Sequence, residues 1–143
     1  MLAGIGPILG EGTAGYFIDP DNNQTSWGFA NGASVVDKIY NVTYLSNSYT
    51  LQNPVLKVAV LLNNGIASSG EVMAISFIDR ENTRSFGAPT CGLSTSNSTY
   101  TLSDGAFLFL TSSYLADRNK SIYGGTVMPD VQVDQADIIQ VAT

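Results

Sequence analysis

The apolar positions of this chain fall into short runs divided by Asn, Ser, Asp and Gly. Residues 14–18 (AGYFI) and 25–30 (TSWGFA) are strand-like runs with aromatic content, and the DPDNN between them is turn chemistry, so a β-hairpin is expected. Asn31-Gly32 marks another turn. Residues 35–45 are ambiguous: the pattern admits a short helix followed by a strand over 41–45. Residues 57–62 (KVAVLL) form a nearly unbroken apolar run, which suits a strand buried on both faces. Residues 69–79 then read as a helix whose Val72, Met73, Ile75, Phe77 and Ile78 cover most of its circumference, so it is expected to be well buried. A strand over 83–86 ends at Gly87. Residues 99–102 and 106–114, joined by Ser103-Asp104-Gly105, read as a second hairpin. Residues 116–120 read as an exposed turn, 127–131 as an extended segment and 135–141 as a short helix. At the start, 1–10 reads as the tail of a helix ended by Gly10 and Gly12. Strand, small-residue turn, helix and strand in that order make a mixed α/β core with hairpins attached, in one domain over 1–143.

The turn between the central strand and helix, 63–71 (NNGIASSGE), holds the candidate chemistry. Ser68-x-x-Glu71 fits a capping box, in which each side chain satisfies one orphan backbone N–H, and spacing alone favours this reading because capping boxes are common. The second role for a serine there is nucleophilic. A helix N-terminus offers free N–H groups and partial positive charge, which stabilise an oxyanion formed when serine attacks a carbonyl. Gly65, Ala67, Ser69 and Gly70 are small enough to leave room for a substrate backbone. The G-x-S-x-G of the α/β-hydrolase elbow is missing, so that family is not indicated.

Composition narrows the classes. A chain of 143 residues with 44% hydrophobic residues suits one globular domain. Charged residues are only 13% and the net charge is −6. Without a Lys/Arg cluster, nucleic acid and anionic membrane surfaces are not expected partners. No apolar stretch approaches the length of a membrane span. Cys91 is alone, so neither an intrachain disulfide nor a cysteine-based metal site is expected, and no cofactor is implied. The Asn/Ser/Thr-rich surface leans toward an extracytoplasmic or cell-envelope setting. Histidine is absent, so any hydrolytic base is of a rarer type or comes from outside the chain.

Four ordered blocks, "VAVLLNNGIASSGE", "NTRSFGAPTCGLST", "LSDGAFLFLTSSYLADRNKSIYGG" and "PDVQV", resemble the S41 serine peptidases, the tail-specific or C-terminal processing proteases. The opening "MLAGIGPILGEGTAGYFID" with "SWGFANGAS" resembles the nisin-resistance-type bacterial branch. The resemblance implies a ClpP/crotonase-like α/β catalytic fold, incomplete at the N-terminus, acting on peptide or protein substrates. It implies Ser68 as nucleophile and the backbone N–H of Ser69 as an oxyanion donor. In the Ser–Lys branch a base lysine follows a glycine in the strand-end loop. Here "GAPTCGLS" puts Leu93 in that place, and Asn97 falls where a polar residue orients the lysine. Leu93 and Asn97 therefore count only as substrate-groove candidates. The remaining branch takes its histidine from a segment before this chain begins.

Other residues read more plainly. Asp130 is expected to cap a turn, Cys91 to be a small half-buried residue, and Tyr16, Trp27 and Phe29 to pack a hairpin core. The leading expectation is a serine endopeptidase using Ser68 with an outside histidine, this chain alone being inactive. The rival is a catalytically inactive peptide-binding or structural remnant of the same fold. Faces left bare by a missing N-terminal half are expected to be covered by self-association or by a partner segment.

Overall fold

Turn-bounded connections of a few residues can only join antiparallel neighbours, and the first third of the chain has nothing longer. The computed structural model describes residues 1–37, 39–44, 46–47, 49–53 and 55–134. After helix α1 (Leu2–Leu9), ended by Gly10 at φ 91°, strands β1 (Gly12–Ile18), β2 (Gln24–Ala30), β3 (Ala33–Val36) and β4 (Ile39–Tyr44) run as an antiparallel meander. Farther along, β7 (Thr95–Thr101) and β8 (Phe107–Asp117) form a long hairpin. Its end joins the meander, Tyr114 to Asp117 of β8 pairing with Ile18 to Gly15 of β1. The sheet order is β4-β3-β2-β1-β8-β7, and the two-residue β9 (Ile122–Tyr123) also pairs with β8.

The second sheet is parallel and smaller. Strand β5 (Val58–Leu62), helix α2 (Ser69–Ser76) and strand β6 (Thr83–Gly87) make a βαβ unit, and β10 (Val131–Gln132) adds to the far side of β6. Helix α2 lies in the core that the two sheets share. Its Ile75 has no exposed surface and belongs to one buried cluster with Leu62 of β5 and with Ala14, Trp27 and Leu115 of the antiparallel sheet. The buried Trp27 indole donates to Ser76 Oγ at 3.1 Å, fixing β2 to the last turn of α2. Gly15 is required beneath that indole, because a Cβ there would fall 2.3 Å from the ring.

The mixed α/β architecture and both hairpins match the sequence pattern. Trp27 and Phe29 are core residues, as expected, at 2% and 4% exposed. Four local expectations are corrected. Residues 35–45 contain no helix among those described; β3 and β4 form a hairpin, because Val35 and Val36 continue the ladder to β2. Strand β5 is not buried on both faces. Ala59 and Leu61 are exposed, since α2 covers only the side carrying Val60 and Leu62. The turn expected at 116–120 begins later: Ala116 and Asp117 finish β8 with 0% and 1% exposure. The Asp117 carboxylate accepts the N–H groups of Asn119 and Ser121 and the Tyr123 hydroxyl, so it organises the turn from inside. Cys91 is exposed rather than half-buried. The expected helix over 135–141 lies outside the described residues.

Among the described residues, two apolar surfaces remain open. One is the face of the parallel sheet opposite α2, where Leu61, Phe86 and Val131 stand in one row across the three strands. The other is the outer part of the β7–β8 hairpin, past the reach of β1, with Phe107, Leu108, Phe109 and Leu110 all exposed. Parallel sheets are normally covered on both faces, and two-stranded ribbons are marginal alone.

Because Ile75 joins both sheets, Ile75→Ala is expected to lower stability by about 2–5 kcal/mol. Urea unfolding of the two proteins measures it; a loss below about 1 kcal/mol would mean that α2 is not the shared core element.

Candidate active site

The strand-to-helix turn is shaped by its own polar residues. The Asn63 side chain accepts the Gly65 N–H at 2.9 Å and its carbonyl accepts the Ile66 N–H at 3.1 Å, closing the chain on itself after β5. Ser68 then stands at the N-cap of α2, exposed, at the turn that the sequence indicates.

Its backbone bears on the two roles. Ser68 has φ 51° and ψ −115°. A serine that only caps a helix keeps β-region angles. Positive φ at a residue with a Cβ is uncommon, and such strain, of order 1–3 kcal/mol, persists only where the surroundings over-determine it. Both sides of Ser68 are held here. Its N–H donates to Glu71 Oε2 at 2.9 Å, and its carbonyl accepts the N–H groups of Glu71 (2.8 Å) and Val72 (3.1 Å). The Ser68 hydroxyl faces the Glu71 N–H in the capping-box arrangement but makes no cap hydrogen bond, that N–H being taken by the carbonyl. The hydroxyl is thus left available to solvent and ligand.

The first helical N–H groups sort themselves as an oxyanion site requires. Gly70, Glu71 and Val72 bond to the carbonyls of Ala67 and Ser68. The Ser68 N–H is consumed by Glu71. The N–H of exposed Ser69 has no acceptor among the described residues and sits at the positive end of the α2 dipole.

Glu71 is the larger surprise. Its side chain is completely buried. Besides Ser68 N–H, it accepts the Thr90 hydroxyl at 2.5 Å and the Gly92 N–H at 2.8 Å. Thr90 Oγ1 in turn accepts the Val127 N–H at 2.8 Å. The loop from β6 to β7 is also stitched to the turn by Cys91 N–H to the Ile66 carbonyl, 2.8 Å. The sequence singled out Glu71 as a cap but missed Thr90 and Gly92. The available signal was the pair Gly87 and Gly92, both at positive φ (125° and 97°), which bracket that loop.

A pocket of about 540 Å³ opens at the carboxyl ends of β5 and β6, where open α/β sheets bind ligands. Leu61, Leu62, Ala88, Pro89 and Val133 give it apolar walls, with Asn63, Asn64 and Thr90 as polar ones. Ser68 is not in its wall; Asn63 and Asn64 on the same turn, and Thr90 through Glu71, connect the two.

Leu93 follows Gly92 at 55% exposure. Asn97 lies on β7, where its side-chain oxygen accepts the Thr111 hydroxyl at 3.1 Å. No basic side chain among the described residues bonds to Ser68. Lys57 stands at the far end of β5, about 16 Å of strand away. Asp130 binds the Ser85 N–H (2.7 Å) and hydroxyl (2.8 Å), so it ties the entry of β10 to β6. Among the described residues, no three His, Cys, Asp or Glu side chains gather as a metal site, and no helix is long and apolar enough to cross a membrane.

Comparison with known proteins identifies the family and the fold. The model of peptidase family S41 matches residues 3–133. The nisin-resistance protein of Lactococcus lactis subsp. lactis is 29% identical over 137 residues, 95% of this chain and 42% of that protein. The structure of a lipoprotein from Streptococcus agalactiae superposes with a TM-score of 0.72 at 28% identity, covering 99% of this chain and 46% of that one. A protein of Parabacteroides merdae shares the fold at TM-score 0.58 and 19% identity, over 96% of this chain and 42% of its own. The chain belongs to peptidase family S41, which supports a serine-protease-type role. It spans less than half the length of each of these three relatives.

The backbone strain at Ser68 can be measured. Replacing a capping serine by alanine typically costs about 1 kcal/mol. Ser68→Gly, which has no Cβ to strain, is expected instead to equal or exceed the parent in urea midpoint. A Ser68→Gly protein less stable than the parent by roughly a few tenths of a kcal/mol, the loss at an ordinary cap, would show that Ser68 stores no strain.

Proposed function

We propose that this chain carries the nucleophile-bearing part of a serine endopeptidase site, as one domain over residues 1–143. The strained backbone of Ser68 carries the reading, since a serine that only caps a helix keeps β-region angles and has no need of a positive φ. Ser68 Oγ attacks the scissile carbonyl and its proton passes to a histidine outside these 143 residues. The Ser69 N–H receives the developing oxyanion. The protonated histidine gives that proton to the departing amine as the C–N bond breaks, and the acyl-enzyme is then hydrolysed by water activated on the same base, which releases the carboxylic acid and restores the Ser68 hydroxyl. Exposed Leu93 follows Gly92, which the Glu71 carboxylate ties to the elbow, and with Asn97 of β7 it is assigned to the substrate groove on the family resemblance. The substrate is a peptide or protein segment bound extended beside the sheet.

A second reading keeps the fold without turnover, as an inactive peptide-binding or structural remnant. The observation that favours it is the chain's own chemistry: no histidine, and Leu93 where the Ser–Lys branch has its base. Labelling with a fluorophosphonate separates the two. The chain alone is expected to label negligibly, because loss of a triad member leaves only about 10³–10⁴-fold over water. The chain expressed with its upstream coding sequence is expected to label at Ser68, and Ser68→Ala to abolish it. Absence of labelling in that longer protein would leave the remnant reading.

The bare face of the parallel sheet and the β7–β8 ribbon fit surfaces meant for cover by the rest of such a protein or by another copy. The isolated 143-residue chain is expected to self-associate and to bind an apolar-surface dye. A clean monomer at high concentration in sedimentation, without dye binding, would show that these faces need no cover.

A further inference from the structure

We infer that Glu71 is the positioning residue of the site: its carboxylate holds Ser68 in the strained conformation and locks the elbow to the loop at 90–92. This rests on the reading of Ser68 as nucleophile. The glutamate of a capping box needs one acceptor and a place in water. Glu71 is wholly buried and uses both oxygens on different segments, Oε2 on Ser68 N–H and Oε1 on the Thr90 hydroxyl and Gly92 N–H. All three partners are donors. Only an acceptor at both ends satisfies them, which a carboxylate is and an amide is not. Glutamine in this place would turn an N–H₂ toward an N–H, at either Ser68 or Gly92.

The residue type is otherwise hard to explain. No cation bonds to Glu71 among the described residues, and an unpaired buried charge is a poor source of stability. What the carboxylate does supply is the restraint on the N–H side of Ser68. The carbonyl side is fixed by α2 itself through Glu71 N–H and Val72 N–H. Without the N–H restraint, Ser68 is free to relax to the β-region angles of an ordinary cap, which re-aims both its hydroxyl and the Ser69 N–H. The same carboxylate holds Thr90, a wall residue of the 540 Å³ pocket, so pocket and nucleophile are set in one register.

Two measurements test this. In the ¹⁵N-labelled 143-residue chain, Glu71→Gln is expected to move the Ser68 HN–Hα coupling toward its β-region value and to speed amide exchange at Ser68 and Gly92. In the chain carrying its upstream sequence, fluorophosphonate inactivation is expected to lose about 100-fold in the maximal rate with little change in the half-saturating concentration, as for a misplaced reacting group. A merely structural role would lower stability without moving the coupling or splitting those constants. Should Glu71→Gln fail to fold, Thr90→Val removes one of the three donors to Glu71, together with the acceptor of the Val127 N–H, and is expected to shift both readouts in the same direction by less. An unaltered Ser68 coupling in whichever variant folds would overturn the proposal. Failure of the unmutated longer protein to label would instead sink the nucleophile reading, and the coupling alone would then decide the role of Glu71.

Discussion

A buried carboxylate surrounded only by donors is the constraint around which this site is built. Glu71 gathers the elbow at Ser68, the loop at Thr90 to Gly92 and, through Thr90, the segment entering at Val127. Each of these comes from a different part of the chain. Because hydrogen bonds to a charged group are strong and directional, three of them define one geometry where apolar packing would tolerate several. The cost is a desolvated charge, offset by those bonds and by the N-terminal end of the α2 dipole.

The rest of the fold presents that arrangement. Strand β5 delivers the turn, and α2 receives it with Ile75 and Ser76 anchored on the antiparallel sheet. An elbow can store strain only if neither its strand nor its helix can shift to relieve it. The shared core around Leu62, Ile75, Trp27 and Leu115 prevents that shift. The apolar row on the opposite face of β5 and β6 has no second layer among the described residues, and the pocket at the strand ends lies on that same border.

Much of this could be read in the sequence, for a local reason. The hairpins, the 57–62 run and the serine at a strand-to-helix turn follow from periodicity and turn residues within a few positions of one another. Ser68 and the box to Glu71 belong to that set. The S41 resemblance pointed to Ser68 as the candidate nucleophile and, through Leu93 and the absent histidine, to a base outside these residues.

What the sequence left open was settled by partners far away along the chain. An apolar run looks the same whether one face or both are covered, so the exposure of Ala59 and Leu61 was decided by the position of α2 alone. Ala116 and Asp117 sit in a polar-looking stretch, yet pairing with β1 buries them. Val35 and Val36 suit helix or strand equally, and the ladder from β2 chose strand. The charge at Glu71 reads as a surface cap until Thr90 and Gly92, 19 and 21 residues on, close over it. Sequence by itself determined the local elements and the candidate serine at the strand-to-helix turn, because these depend on neighbours in the chain. Burial, strain and the aim of that serine depend on neighbours in space, and only the tertiary structure supplied them.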